Sequence, residues 1–348
     1  MDSWLWTFSV VASAALGLWL LSHVMEALRP VPKTPATLRW APEIPIHYVE
    51  VDGKKLRYIK AGGGPVLVLL HTLRTQLDLF EKVVLELSKH FTVCALDYPG
   101  HGYSNIPKAC YDAAFFVKAV EGFLEKQDLR EVTLAGVSIG GAIPLIIAAK
   151  QNPRVARVVA INPYDYAKGR GMARSSLLGW MITYASLIPV LGETVNRLRN
   201  FIIMKAVLRG GVADPKSIPG ELMKDMYVVG NRRGHYRAFI SLLRNAESWE
   251  AATKDYRRIN VPVLLIWGDR DWARPSEREH DHNLIPGVRT VSVKRGGHFL
   301  PLDRPDAVTR HLLEFHQSGR SGLSQRRSET HAVPRRDETI QLSSIHRP

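Results

Sequence analysis

The chain has 348 residues, 45% of them hydrophobic, which is enough to bury a full core in one large domain or two modest ones. A net charge of +14 favours acidic surfaces such as anionic lipid, but no zinc-type Cys/His spacing, phosphate-binding glycine loop or RNA-binding motif supports a nucleic-acid partner. The two cysteines exclude a disulfide framework, and we expect two free thiols.

The N-terminal segment predicts a membrane anchor. Residues 3–25 carry no formal charge and are rich in Leu, Val, Ala and Trp. A helix of about 22 residues spans a hydrocarbon core of about 30 Å. A cleaved signal peptide would start with basic residues, whereas this chain starts with Met1-Asp2. We therefore expect an uncleaved transmembrane helix over 1–28. Positive residues follow the segment and none precede it, so we expect the remaining chain on the cytoplasmic side.

Residues 29–45 form a proline-rich linker. A continuing helix is excluded by its prolines, Pro30, Pro32, Pro35, Pro42 and Pro45. Such a segment favours extended chain. We therefore expect it to act as a spacer between the membrane and the domain that follows.

From residue 46 to residue 317, short apolar runs alternate with helical periodicity. The pattern begins with a hairpin of 47–51 and 56–61, turned at Asp52-Gly53. Further strands are predicted at 66–70, 92–96, 131–135, 155–161, 263–267 and 290–293, and helices at 77–89, 113–126, 139–150, from about 276, and at 303–316. This alternation predicts an α/β fold with a mostly parallel sheet and helices on both faces.

The alternation stops between about 163 and 256, which we interpret as a helical cap inserted into one domain. Within it, 177–191 is uncharged and contains Trp180 and Tyr184. Two interpretations stay open: a cap helix packed over the active site, or a lid face that dips into the bilayer. The tail, 318–348, is basic and rich in Ser, Arg and Gln, which predicts disorder.

The sharpest chemical signal is Gly136-Val137-Ser138-Ile139-Gly140, between an apolar strand and an apolar helix. A strand that turns straight into a helix strains the backbone at the serine, and flanking glycines remove side-chain clashes. The hydroxyl then stands at a helix N-terminus, whose positive end favours a developing oxyanion. The strand before and the helix after are the context that a nucleophilic serine requires.

Four motifs in order resemble the α/β-hydrolase family, and the resemblance covers residues 46–317. They are His71 at the end of the third strand, the loop 97–104, the Ser138 turn, and Gly296-Gly297-His298 before the last helix. The resemblance implies that Ser138 is the nucleophile and His298 the general base. We expect Asp97 to fix its loop through backbone hydrogen bonds instead of joining the chemistry.

The acid of the triad has three candidates. The family pattern places it three residues past a glycine and shortly before a proline, which implies Asp271. Asp269 is an alternative, although it is equally explained as a turn residue or an ion pair with Arg270. Asp165 also remains open, because some family members carry the acid after the sixth strand.

The resemblance implies an oxyanion hole made by the backbone N–H groups of Leu73 and Ile139. The family usually has His-Gly in the first of these loops, whereas this chain has His71-Thr72. Threonine does not adopt glycine-only conformations, so the departure puts the second donor in question. Arg74 is either a solvent-exposed arginine or a cation that binds an acidic substrate group.

These residues predict a membrane-anchored carboxylic ester hydrolase that works through an acyl-serine without metal or organic cofactor. A serine nucleophile argues against the epoxide hydrolases and dehalogenases of the family, which use aspartate. The anchor and the apolar cap resemble the monoacylglycerol-lipase-like branch, so we expect a lipid or long-chain acyl ester as substrate and membrane lipid as a contact of the N-terminal helix. The alternatives are a carbon–carbon bond hydrolase or perhydrolase on the same triad, and an inactive binding module.

Overall fold

The computed structural model describes residues 2–330, and in these residues eight strands form one sheet in the order β1-β2-β4-β3-β5-β6-β7-β8. The strands are β1 Ile46–Val51, β2 Lys54–Ala61, β3 Val66–Leu70, β4 Thr92–Leu96, β5 Val132–Val137, β6 Val155–Ile161, β7 Val263–Gly268 and β8 Arg289–Val293. All pairs from β4 across the sheet to β8 are parallel, and β2, which pairs antiparallel with both β1 and β4, is the one strand that runs in the opposite direction. The mostly parallel α/β sheet is confirmed.

The helices fall into an N-terminal helix, helices that connect the strands, and a cap. They are α1 Asp2–Ala27, α2 Val84–Leu87, α3 Ala113–Lys126, α4 Ile139–Ala149, α5 Leu177–Leu187, α6 Leu191–Arg197, α7 Phe201–Arg209, α8 Gly220–Gly230, α9 His235–Arg244, α10 Glu247–Ala252, α11 Pro275–Leu284, α12 Leu300–Asp303 and α13 Pro305–Thr330. Helices α5 to α10 form the cap, between β6 and β7.

Two predicted elements differ from the structure. The helix expected at 77–89 is instead a 3-10 turn, Leu77–Phe80, followed by the short α2. All four side chains of the turn are buried, and an α-helix would bury only one face. Helix α13 continues to Thr330, into the tail for which we predicted disorder, with no proline to end it. The remaining tail, 331–348, lies outside the described residues.

The N-terminal helix α1 is, among the described residues, the helix long and apolar enough to cross a membrane. Its apolar side chains are mostly exposed, but Ser22 and Glu26, on one face near its C-terminal end, are buried. The linker that follows, 29–45, forms neither helix nor strand. It is not a free spacer, however, since Leu38, Ala41 and Ile44 are buried against the domain.

Candidate active site

Ser138 lies between β5 and α4 with φ 63° and ψ −122°, the strained conformation that the motif predicts. The backbones meet so closely here that a Cβ on Gly136 would lie 2.0 Å from the Gly140 carbonyl oxygen. A Cβ on Gly140 would lie 2.2 Å from the carbonyl oxygen of Leu70 in β3. Both positions therefore require glycine, and Ser138 is held at the carboxyl ends of the central strands.

His298 and Asp271 form a buried pair. His298 Nδ1 lies 2.5 Å from Asp271 Oδ1, and neither side chain is exposed. Asp271 Oδ2 accepts a second hydrogen bond from the backbone N–H of Ala273 at 2.9 Å. With its Nδ1 proton bound to the carboxylate, His298 has a lone pair on Nε2. Nε2 and the Ser138 hydroxyl are both buried and have no hydrogen-bond partner among residues 2–330.

Asn162, which follows β6, ties the histidine loop to the sheet. Its Nδ2 donates to the carbonyl oxygens of Gly297 and His298 at 3.0 Å each, and its Oδ1 accepts from Gly268 N–H at 2.8 Å. Next to it, the Tyr164 N–H donates to the Ser138 carbonyl oxygen at 3.2 Å, and its ring lies 6.0 Å from that of His298. The sequence interpretation missed both residues, although their place just after a parallel strand was the available signal.

The other two candidate acids are engaged elsewhere. Asp269 Oδ1 accepts from the Gly296 N–H at 3.0 Å and so shapes the loop before His298. Asp165 is buried and accepts a hydrogen bond from the Tyr256 hydroxyl at 2.7 Å. Of the three carboxylates, the structure pairs only Asp271 with His298.

The loop after β3 brings Leu73 to the site. His71 Nδ1 lies 2.7 Å from the Thr72 carbonyl oxygen and its Nε2 accepts from the Tyr98 N–H at 3.4 Å, which fixes the Nδ1–H tautomer. Burial lowers the pKa of His71 to about 4 and keeps the ring neutral. The left-handed conformation in this loop falls on Arg74, with φ 57°, and not on Thr72. The threonine therefore does not prevent the turn.

Asp97 holds the neighbouring loop as expected. Its carboxylate accepts from the backbone N–H groups of Leu77 and Tyr103, each at 2.8 Å. It also forms a buried ion pair with Arg57 at 3.2 Å. A Cβ on Gly102 would lie 1.9 Å from this carboxylate, so the glycine is required for the contact.

Trp272 links His298 to the cap. Its ring stacks on His298 with centroids 3.8 Å apart and planes 14° apart. Its indole N–H donates to the carbonyl oxygen of Gly210, at the end of α7, at 3.0 Å. Phe299 N–H donates to the Gly211 carbonyl oxygen at 2.7 Å, so the same cap turn is bound twice. The sequence interpretation did not single out Trp272, which directly follows Asp271.

A cavity of about 320 Å³ lies between the cap and the site, within the range of small-molecule pockets. Thr72 and Leu73 line it from the loop after β3, and Trp272 and Phe299 line it from beside His298. The rest is mostly apolar, with α5 and α7 contributing Leu178, Met181, Ile182, Ala185, Ile203, Met204 and Val207. Ser138 and His298 are buried and are not among the residues that line the cavity.

A second feature of the cap is its exposed apolar outer surface. We call this surface the cap patch, and it consists of Leu177, Trp180, Met181, Tyr184, Ile188, Val190, Leu191 and Ile202. Met181 and Leu191 belong to both the patch and the cavity lining. Helix α5 is therefore packed on its inner face and exposed on its outer face.

Comparison with known proteins shows the family of the fold. The family model of the alpha/beta hydrolase fold matches residues 65–305. 2-(Acetamidomethylene)succinate hydrolase of Mesorhizobium japonicum is 30% identical over 77% of this chain and 93% of its own. Carboxylesterase YbfK of Bacillus subtilis is 24% identical over 79% of this chain and 89% of its own. The crystal structure of a membrane phospholipase A is 24% identical, covers 92% of this chain and 99% of its own, and has a TM-score of 0.64.

Proposed function

This chain belongs to the α/β-hydrolase family, and we propose that within it the protein is a membrane-anchored serine hydrolase of lipid or other long-chain acyl esters. The observation that carries the proposal is the buried pair of His298 and Asp271, together with a buried serine, Ser138, held at φ 63°. A relative named as a carboxylesterase supports the reaction class.

In the proposed mechanism, His298 Nε2 takes the proton of the Ser138 hydroxyl as the oxygen attacks the ester carbonyl. Asp271 holds the imidazole in the required tautomer and stabilises the imidazolium that forms. The backbone N–H groups of Leu73 and Ile139 stabilise the oxyanion. The proton on His298 then passes to the leaving alcohol, and water releases the acid from the acyl-serine by the same steps.

The choice of a lipid ester rests on the cavity and the cap patch. The cavity walls are mostly apolar and accept an acyl chain, whose burial contributes about 0.8 kcal/mol per CH₂. The rim residues Met181 and Leu191 are 53% and 45% exposed, so the cavity opens at the apolar outer surface of the cap. A large exposed apolar surface of this kind is typical of membrane or partner contacts.

The anchor is proposed to stay uncleaved because Glu26, in the last turn of α1, forms buried contacts with the folded domain. Glu26 Oε2 lies 2.8 Å from Arg199 Nη1, and Glu26 Oε1 accepts from the Gly234 N–H at 2.6 Å. Cleavage of the helix as a signal peptide would leave the buried Arg199 without this carboxylate. The remaining chain is proposed to lie on the cytoplasmic side, from the positive residues that follow the segment.

Two measurements on the full chain in non-ionic detergent test the proposal. A fluorophosphonate probe should label the wild type and not Ser138→Ala. The value of kcat/KM for monoacyl esters should climb from acetyl upward, by roughly fourfold per CH₂ until the cavity is filled. An absence of labelling would instead support an inactive binding module. A preference for acetyl esters, or for amide or carbon–carbon substrates, would defeat the lipid assignment.

A further inference from the structure

Arg74 is a cation without an anionic partner in the wall of the cavity. Its guanidinium carbon lies 4.4 Å from the centre of the Phe239 ring, and no hydrogen bond or ion pair joins it to any residue in the described part of the chain. Burial and the nearby charges of Arg199 and Arg29 lower the pKa of Arg74 to about 9, so it is still charged at neutral pH. A half-buried charge of this kind is costly without a partner.

The other arginine at the cavity, Arg199, has its ion-pair and hydrogen-bond partners within the protein. Arg199 binds Glu26 and donates to the carbonyl oxygens of Asn196, Gly230 and Arg232 at 2.9 to 3.1 Å. Glu26 is shared with Arg29, at 3.1 Å. One carboxylate thus serves two arginines, and Arg74 adds a third positive charge close to them. The potential at this end of the cavity therefore favours an anion.

The backbone adds a second indication. Arg74 has φ 57°, a conformation that glycine adopts freely and that costs another residue about 1 kcal/mol. Strained residues of this kind cluster at ligand sites. Arg74 also directly follows Leu73, the proposed oxyanion donor, so its side chain starts from the loop that would hold the ester carbonyl.

Building on the proposed ester hydrolysis, we infer that Arg74 binds an anionic group, a phosphate or a carboxylate, that the substrate carries near its ester bond. The substrate class is an acidic monoacyl amphiphile, such as a lysophosphatidate. The acyl chain occupies the apolar part of the cavity, and the planar guanidinium binds the anion through paired hydrogen bonds.

The test compares a 1-monoacylglycerol with the lysophosphatidate of the same acyl chain, in the same non-ionic micelles. The wild type should favour the lysophosphatidate in kcat/KM by about 10- to 100-fold, the usual contribution of charge-assisted hydrogen bonds. Arg74→Gln should remove this preference, and Arg74→Lys should retain part of it. Arg209→Gln, which removes an equal charge from the exposed end of α7, is the matched control and should keep the full preference.

Three results would overturn the inference while ester hydrolysis stands: a wild type without the preference, an Arg74→Gln variant that keeps it, or an Arg209→Gln variant that loses as much. Inorganic phosphate that competes as well as the lipid would also overturn the assignment to a lipid head group. Binding of the two amphiphiles to Ser138→Ala, with and without Arg74→Gln, measures the same preference without turnover. A failure of the proposed hydrolase activity is therefore distinguished from a failure of the Arg74 site.

Discussion

The edge of the sheet formed by the carboxyl ends of its strands, here called the sheet edge, and the cap bind their polar side chains through different kinds of contact. At the sheet edge, short side chains bind backbone groups of neighbouring loops, as Asp97 does with Leu77 and Tyr103. In the cap, long arginine side chains reach carbonyl oxygens far away in the sequence. Arg232, for example, between α8 and α9, donates to the carbonyl oxygen of Ser104 at 3.1 and 3.2 Å.

This difference separates the chemistry from the choice of substrate. Short side chains bound to backbone leave few rotamers, and we expect them to hold the loops of the proposed triad closely, as catalysis would require. Arginine side chains have more rotatable bonds, so we expect their contacts to hold the cap less rigidly. We therefore expect substitutions at the sheet edge to abolish turnover, and substitutions in the cap to change which substrates are used.

The largest effect is expected at the triad. Ser138→Ala and His298→Ala should each lower ester turnover by about 10³-fold or more, because only binding and the oxyanion hole would remain. Thermal unfolding should change little, and Ser88→Ala, in the turn after α2, serves as the serine control. Activity near the wild-type level in either triad variant would remove that residue from the mechanism.

Substitution of the two aspartates after β7, Asp271 and Asp269, should affect kcat to clearly different extents. Asp271→Asn should lower kcat by about 10²-fold or more, because the amide no longer stabilises the imidazolium of His298. Asp269→Asn should lower kcat by less than about tenfold, since Asp269 contacts the Gly296 backbone and not the imidazole. Steady-state kinetics of both variants decide the matter. The reverse ranking would give the acid role to Asp269.

The cap patch should affect substrate choice and not chemistry. Trp180→Asp with Tyr184→Asp places two charges on the outer face of α5, where these rings lie 5.1 Å apart. We expect about a tenfold loss of efficiency on long-chain esters in vesicles, relative to a short soluble ester, because charges oppose insertion into lipid. If the two substrates are affected equally, α5 is only a packed cap helix and the patch does not contact the membrane.

The smallest effect concerns the joint between the two regions. Asp165, where the chain leaves the sheet, binds Tyr256, where it returns. Burial raises the pKa of Asp165 to about 6, and it also raises that of the adjacent Asp281. The folded pKa thus exceeds the unfolded value of about 3.9. The stability that Asp165 contributes is therefore complete below about pH 4 and is lost as the pH rises through about 6.

Asp165→Asn should remove this pH dependence. We expect its Tm to exceed that of the wild type by about 3 °C at pH 8 and by less at pH 5, since the amide stays neutral. Asp255→Asn, at the surface in the same turn as Tyr256, is the control and should leave the pH profile of Tm unchanged. A wild-type profile in Asp165→Asn would show that this joint does not set the pH dependence.

Sequence reasoning succeeded where the signal is local. The bounds of β3, β4, β6 and α3 follow from apolar runs and periodicity, and the Ser138 turn from its glycines. It failed where partners are distant. Asn162 and Gly297 are 135 residues apart in the sequence, and Trp272 and Gly210 are 62 residues apart, so no local pattern predicts either contact. The cap was predicted as an insertion, but its arginine contacts were not.

The contacts of Glu26, near the end of α1, also change the N-terminal boundary of the folded domain. Hydropathy places that boundary after Leu28, but the buried ion pair of Glu26 with Arg29 and the buried Leu38 of the linker belong to the folded domain. A shortened chain that starts at Trp40 would be more soluble but would lack part of its fold. A substrate profile measured on such a fragment would describe a loosened cap. We therefore expect the N-terminal helix and the domain to unfold together.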